Sequence, residues 1–320
     1  MANAINTLAG LIVFNDANND DIQVSDLLDD APLMQVMFAK AASNGTQHKY
    51  VKQTVASASA FRAVNTGLAK TFSQDEQVTD TLKFLDGSFY VDVAIADGYS
   101  GGPEAYIQKE LMRTLRQRMF GLESQVLLGT GNDANGFAGL ADDPQLDKTG
   151  DTMCTVPANP GAASSNTSVY LIRHGDPDCA VIMGNGGEIV VGETIVQMVY
   201  QDPTSNSNSF AAYYTPVGAY AGFQIGGAYS AARIANINCA TLSASDALTD
   251  DDIYGALSLF PAGRQPNAIV MNRNALRLLR NSRTAVNATG APAPRPTDVE
   301  GIPIIVTDAI GSAESTVAAS

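Results

Sequence analysis

The sequence predicts an α+β fold, on three observations. A single amphipathic helix spans Glu104–Leu128, which is ~37 Å at ~1.5 Å per residue and long for a globular domain. Ahead of it lies a strand-rich stretch, residues 48–96, that is polar on both faces where a hairpin should be. Behind it come two β-rich blocks and then alternating short helices and buried strands.

Each element has its own justification. Asn19, Asp20 and Asp21 can open a helix through Ile22–Leu28, and a second helix is expected over Pro32–Ala42, with Leu33, Val36 and Met37 on one side. These residues cannot build a core alone, so the segment should lie on another surface. SAFRAVNTGLAKTF (59–72) and QVTDTLKFL (77–85) flank the polar turn Ser73–Glu76 and suggest a long hairpin. A two-stranded ribbon polar on both faces is marginal in water and needs a partner. In SFYVDVAIAD, Phe89, Val91, Val93 and Ile95 alternate with Tyr90, Asp92 and Ala94, the pattern of a half-buried strand.

Pro103 and Glu104 suit a helix start. Ile107, Leu111, Leu115, Met119, Leu122 and Val126 form one apolar stripe, and Lys109, Arg113 and Arg116 project from roughly the opposite side. Gly129-Thr130-Gly131 ends the helix, because glycine accepts the left-handed cap. Residues 150–168 read as a loop. SVYLIRHGDPDCAVIMGNGGEIVVG holds two or three strands, with Gly184–Gly187 as a hairpin turn. SFAAYYTPVGAYAGFQIGGAYSAARIANI holds two longer strands about a glycine-rich bend. Asp246–Phe260 reads as a helix with Thr249 as N-cap and Asp250, Asp251 and Asp252 in its first turn. Asn267–Met271 is a buried strand, Asn274–Ser282 a short helix, and GIPIIVTDAI a final buried strand.

Composition narrows the function. The 320-residue chain is 45% hydrophobic but only 7% aromatic, with no Trp, which favours close backbone contacts over a deep aromatic pocket. Its net charge of −14 argues against tight sequence-specific DNA binding and leaves room for a local basic face. Cys154, Cys179 and Cys239 are odd in number and far apart, which argues against a disulfide framework and fits a reducing compartment. Two histidines, His48 and His174, offer little for a metal centre. Leu8–Phe14 is too short to span a bilayer and lacks a basic flank, so no membrane is expected.

Gly98-Tyr99-Ser100-Gly101-Gly102 fits the G-x-S-x-G elbow of serine hydrolases, with Asp147, Asp151 and His174 downstream in hydrolase order. The upstream strand alternates and no βα units precede it, so a plain strand-to-helix turn is the better reading. Gly129–Gly136 lacks the Lys-Ser/Thr ending of a phosphate-binding loop and follows a helix, whose C-terminus repels anions.

The order of these elements, with LLGTGNDANGFAGL after the long helix, resembles the Hong Kong 97-type major capsid proteins of tailed bacteriophages. Leu127-Leu128-Gly129-Thr130-Gly131 and Gly139-Leu140 hold the place of that family's turn after its spine helix. SAFRAVNTGLAKTF with VTDTLKFLDG is similar to the extended E-loop of one subgroup. RHGDPDCAVIMGNGG, Tyr214–Gln224 and AYSAARIANI are similar to later segments. NAIVMNRNALRLLRNSR with GIPIIVTDAI is similar to the axial domain.

The resemblance implies an N-terminal arm at 1–44, an E-loop at 45–84, a peripheral domain at 85–149 with spine helix 104–128, and an axial domain at 238–320. Residues 150–237 would complete the peripheral sheet or form an insertion, with the sheet favoured for Phe210–Ile237. It implies a structural protein without catalytic residues, cofactor or metal, assembling as pentamers and hexamers into an icosahedral virion capsid around double-stranded DNA, in the host cytoplasm. Portal, scaffolding and decoration proteins are the implied partners. Phe61, Arg62, Asn65, Lys70 and Phe72 would make intersubunit contacts through the E-loop, the arm would cross a neighbour likewise, and Lys109, Arg113 and Arg116 would face the genome. Nothing identifies a crosslinking partner for Lys70. An encapsulin-type compartment and a hydrolase using Ser100 are the alternatives.

Overall fold

The computed structural model describes residues 8, 13–14, 27–55, 61–67, 72–157, 165–202, 207–239, 248–286 and 291–319. Its spine is α3 (Gly102–Leu128), preceded by α1 (Pro32–Val36) and α2 (Val93–Asp97) and followed by α4 (Asp250–Leu257) and α5 (Arg273–Ala285). The strands taken in chain order are β1 (Ala39–Ala41), β2 (Gln47–Val55), β3 (Gln74–Thr81), β4 (Lys83–Asp86) and β5 (Phe89–Asp92). Then come β6 (Asn166–Ile172), β7 (Cys179–Met183), β8 (Glu188–Val191), β9 (Ile195–Asp202) and β10 (Ser207–Thr215). Last are β11 (Val217–Ile225), β12 (Ala231–Asn238), β13 (Ala268–Met271) and β14 (Ile302–Val306).

Two packed sheets and two projecting pieces result. In the first sheet β11 pairs antiparallel with β4, β7 and β8, and β1 adds parallel to β7. In the second, β6 pairs antiparallel with β12 and β13, and β14 runs parallel to β13. β9, β10 and β5 make a separate three-stranded sheet, and β2 with β3 makes a two-stranded ribbon. The stripe residues Leu111, Leu115, Met119, Leu122 and Val126 enter a core shared with Val169, Leu171, Val181, Phe223, Ile269 and Leu279. Toward its C-terminus α3 loses its amphipathic character, because every residue from Leu122 to Leu127 is buried.

Several sequence expectations are corrected. Pro32–Ala42 is not one helix: Met37 turns extended at ψ 138°, and Ala39–Ala41 joins β7 as a strand. The Ile22–Leu28 helix lies almost wholly outside the described residues. Where the arm is described it does not reach outward. Leu27, Leu28, Leu33, Met34 and Met37 are all buried in the subunit's own core. Ser73–Glu76 is not the hairpin turn, because Gln74 already begins β3 and pairs with Val55. The strand expected over 88–97 ends at Asp92, whose carboxylate accepts the Ala94 amide at 2.8 Å and starts α2. Gly184–Gly187 does not reverse the chain, since β7 and β8 both run antiparallel to β11. Pro216 splits the long strand expected over residues 209–225 into β10 and β11, as a residue without an N–H donor does. The segment favoured for the peripheral sheet is divided: β11 lies in the first sheet, whereas β12 joins β6 and β13. β14 is only half-buried, with Ile305 its one fully buried member among Ile302, Ile304 and Ile305.

Candidate assembly interface

The ribbon β2–β3 carries Lys49 and Lys52 on one strand and Asp75, Glu76 and Asp80 on the other. Most of β3 is exposed, as is Val51 on β2. At the ribbon's tip, residues 61–67 are exposed throughout. Phe61 and Phe72 both stand in solvent, and Arg62 Nη1 donates to Thr66 O at 3.0 Å across a tight turn in which Asn65 adopts φ 67°. Lys70 lies outside the described residues.

The base of the ribbon is fixed to the first sheet. Buried His48 places Nε2 2.9 Å from Gln224 Oε1 on β11, while its Nδ1 accepts the Ser43 amide at 3.3 Å. Gln224 Nε2 donates to the carbonyls of Asp176 and Asp178, so its oxygen must face the ring. The hydrogen-bond pattern therefore selects the neutral tautomer with the proton on Nε2. Burial lowers the His48 pKa further, against the opposing pull of Gln224. The ribbon is rigid where it leaves the body and bare of packing where it ends.

The spine helix divides into two functional lengths. In its N-terminal part Lys109 and Arg113 are exposed: Lys109 Nζ lies 5.4 Å from the Tyr99 ring centroid, and Arg113 pairs with Glu110 at 3.1 Å. Arg116 is half-buried, with a buried Nε that has no hydrogen-bond partner among the described residues. The three side chains thus share a helix face without forming one site.

The C-terminal part holds two anchors that composition did not reveal. Ala31 cannot cap α1 with its side chain, and Pro32 has no N–H. The buried carboxylate of Glu123 supplies the cap instead: Oε2 accepts Leu33 N at 2.8 Å and Met34 N at 3.3 Å, and Oε1 accepts the Thr307 hydroxyl. Beyond the helix, Thr130 N and Oγ1 donate to Asp142 at 2.7 and 2.6 Å, and Gly139 N does so at 3.1 Å. Gln125 Nε2 donates to Phe137 O at 2.6 Å, and its Oε1 accepts Asn132 Nδ2 at 2.9 Å. LLGTGNDANGFAGL is therefore a closed loop locked onto the last turn of α3. The readable signal for both anchors was the trio Glu123, Ser124, Gln125, polar residues standing inside an otherwise apolar run.

Ser100 lies in the turn between α2 and α3, preceded by a helix and not a strand, and no hydrogen bond joins it to a histidine or carboxylate among the described residues. The elbow context is absent. Among the described residues no group of His, Cys, Asp and Glu is arranged to hold a metal ion, and no helix is long and apolar enough to cross a membrane.

A body with a shared α/β core, a spine helix and a ribbon projecting beyond that core defines a capsid subunit of the Hong Kong 97-type fold. The chain belongs to the major capsid protein GP7 family, whose model matches residues 16–318. It is similar in structure to the bacteriophage epsilon15 capsid chain, with a TM-score of 0.64 and 22% identity over 88% of each chain. The bacteriophage JBD30 capsid chain gives a TM-score of 0.48 at 13% identity, covering 93% of this chain and 95% of that one. The SrpI encapsulin of Synechococcus elongatus gives 0.41 at 14% identity, covering 67% and 90%. No curated protein matches by sequence. The protein is a phage major capsid protein, a structural subunit that builds the virion shell from many copies of itself.

Proposed function

We propose that the subunit forms pentamers and hexamers of a shell that encloses double-stranded DNA, assembled in the host cytoplasm with portal, scaffolding and decoration proteins. The observation that carries this reading is the ribbon. A two-stranded polar element with exposed aromatic side chains at its tip gains little from its own body and much from a neighbour's surface. Repeated over a closed shell, individually weak contacts become collectively strong. Phe61, Arg62, Asn65, Lys70 and Phe72 are the residues assigned to that contact.

Replacing Phe61 and Phe72 with Ser should leave the unfolding midpoint of the isolated subunit unchanged, within ~0.5 kcal/mol, because neither side chain packs on the body. The same change should remove more than ~1 kcal/mol from each intersubunit contact and sharply cut the yield of particles in a sedimentation assay. Wild-type yield from the double variant would dismiss the assignment.

Lys109, Arg113 and Arg116 are assigned to the packaged nucleic acid, as charge compensation without base reading. Substituting all three with Gln should leave shell geometry intact under the microscope while purified particles release DNA at lower temperature than wild type. Unchanged retention would remove the assignment, and particles containing protein cargo and no nucleic acid would favour an encapsulin-type compartment.

A further inference from the structure

Between Asp252 and Asp298 the sequence carries Arg264, Arg273, Arg277, Arg280, Arg283 and Arg295, and no Asp, Glu or Lys. In a chain of net charge −14 such segregation needs a cause. Three of these residues, Arg273, Arg277 and Arg280, recur at helical spacing along α5 and are exposed, opposite the buried face of Ala275, Leu278 and Leu279.

Their partners differ. Arg273 pairs with Asp308, and Arg283 is held by Asp250 through Nε at 2.9 Å and Nη2 at 2.7 Å. Arg280 Nε donates to Ala293 O at 2.8 Å, which holds its guanidinium beside the loop carrying exposed Arg295. No carboxylate pairs with Arg277, Arg280 or Arg295 among the described residues. Arg273 also lines one groove with Gln117 and Phe120 of α3. Gln117 stands one turn beyond Arg113 on the spine helix, so the N-terminal end of α5 approaches the spine helix near its basic face. Asp29, Asp30 and Asp308 line the groove between them.

We propose that Arg277, Arg280 and Arg295 form a second phosphate-contacting face for double-stranded DNA, beside that of Lys109, Arg113 and Arg116 in function. The residue type supports it. Guanidinium is weakly hydrated and binds phosphate through paired N–H donors, and an all-arginine surface suits a backbone contact better than a merely solubilising one. Arg280 is exposed while its Nε bond holds the guanidinium at one edge, which lowers the ordering cost of a further contact. The inference rests on the reading of the shell as a container for double-stranded DNA.

The test is a salt titration of the full-length, unassembled chain against a short mixed-sequence duplex, followed by fluorescence anisotropy. The R277Q/R280Q/R295Q variant should lower the slope of log affinity against log salt by about 2–3, at ~0.9 per phosphate contact removed. R277Q/R295Q, which keeps the Arg280 anchor and so guards against a change in fold, should lower it by about 2. Wild-type affinity and slope in both variants would overturn the inference while leaving the container reading standing. A wild-type chain that ignores the duplex at low salt would overturn the inference, whereas the container reading falls only if purified particles hold no nucleic acid. Failure of the triple variant to assemble, with DNA binding unchanged, would reassign these arginines to contact between copies and overturn the inference.

Discussion

Glu123→Leu should destabilise the subunit by on the order of 3 kcal/mol at pH 5 and by less at pH 8, because it strands the Leu33 amide and the Thr307 hydroxyl, whereas the Met34 amide also reaches the Ala31 carbonyl at 3.0 Å. The Leu33 and Met34 amides and the Thr307 hydroxyl come from the arm and from the end of β14, and all three converge on one residue of the spine helix. Glu123→Gln should behave differently. Burial pushes the Glu123 carboxyl up to about 7 from a usual 4.5, against its hydrogen bonds from Thr307, Leu33 and Met34 and with Asp308 adding to the rise. The folded chain therefore binds more protons than the unfolded chain between these two values. Its stability is fully present on the acid side and falls as pH rises through that window, by on the order of 3 kcal/mol at ~1.4 kcal/mol per unit. Glu123→Gln keeps an acceptor and removes the ionisation, so its stability should be flatter across the window. Urea unfolding of wild type and both variants at pH 5 and pH 8 measures this. A Gln variant with the wild-type slope would show that another group carries the dependence.

Gly129→Ala should be the second severe substitution, costing at least ~3 kcal/mol, near the upper end for a single change. Gly129 sits at φ 55°, and a Cβ there would overlap the Asp142 carboxylate and the Gly139 amide. The carboxylate cannot retreat, since it holds both Thr130 donors. Gly131, two residues on, has open space around its Cα and a φ outside the left-handed region. Gly131→Ala should change the thermal midpoint little. Equal effects from the two substitutions would mean that the loop tolerates crowding and is not locked as described.

These two sites mark the limit of what the sequence discloses. Local chemistry was legible: Pro103 and Glu104 near the start of α3, the glycine at its end, and Thr249 capping α4 with Asp252 in a reciprocal capping box. The stripe from Leu111 to Val126 named the core face because helical periodicity is a local property. What failed was decided by remote partners. Glu123 meets its donor 90 residues away, and His48 meets Gln224 across 176 residues. The run Val91 to Ile95 alternates like a strand, yet the Asp92 side chain captures an amide two residues on and turns it into a helix. Residues 39–41 look helical in isolation and become a strand because the edge of β7 lies ready to pair. β6 and β7 are buried along their whole length, so no alternation marks which face is inward. The basic residues of the spine were legible as a stripe, whereas their unequal burial followed from how α3 settles on its neighbours.

The ribbon's polarity has a consequence for how a wall is built. An element with lysines along one strand and carboxylates along the other stays dispersed in water, so free subunits can accumulate without clumping. Exposed charge contacts are weak and screened by salt, so a subunit seated at the wrong angle can detach before its neighbours enclose it. Growth can then correct its own errors, and closure, not any single bond, makes the finished particle permanent.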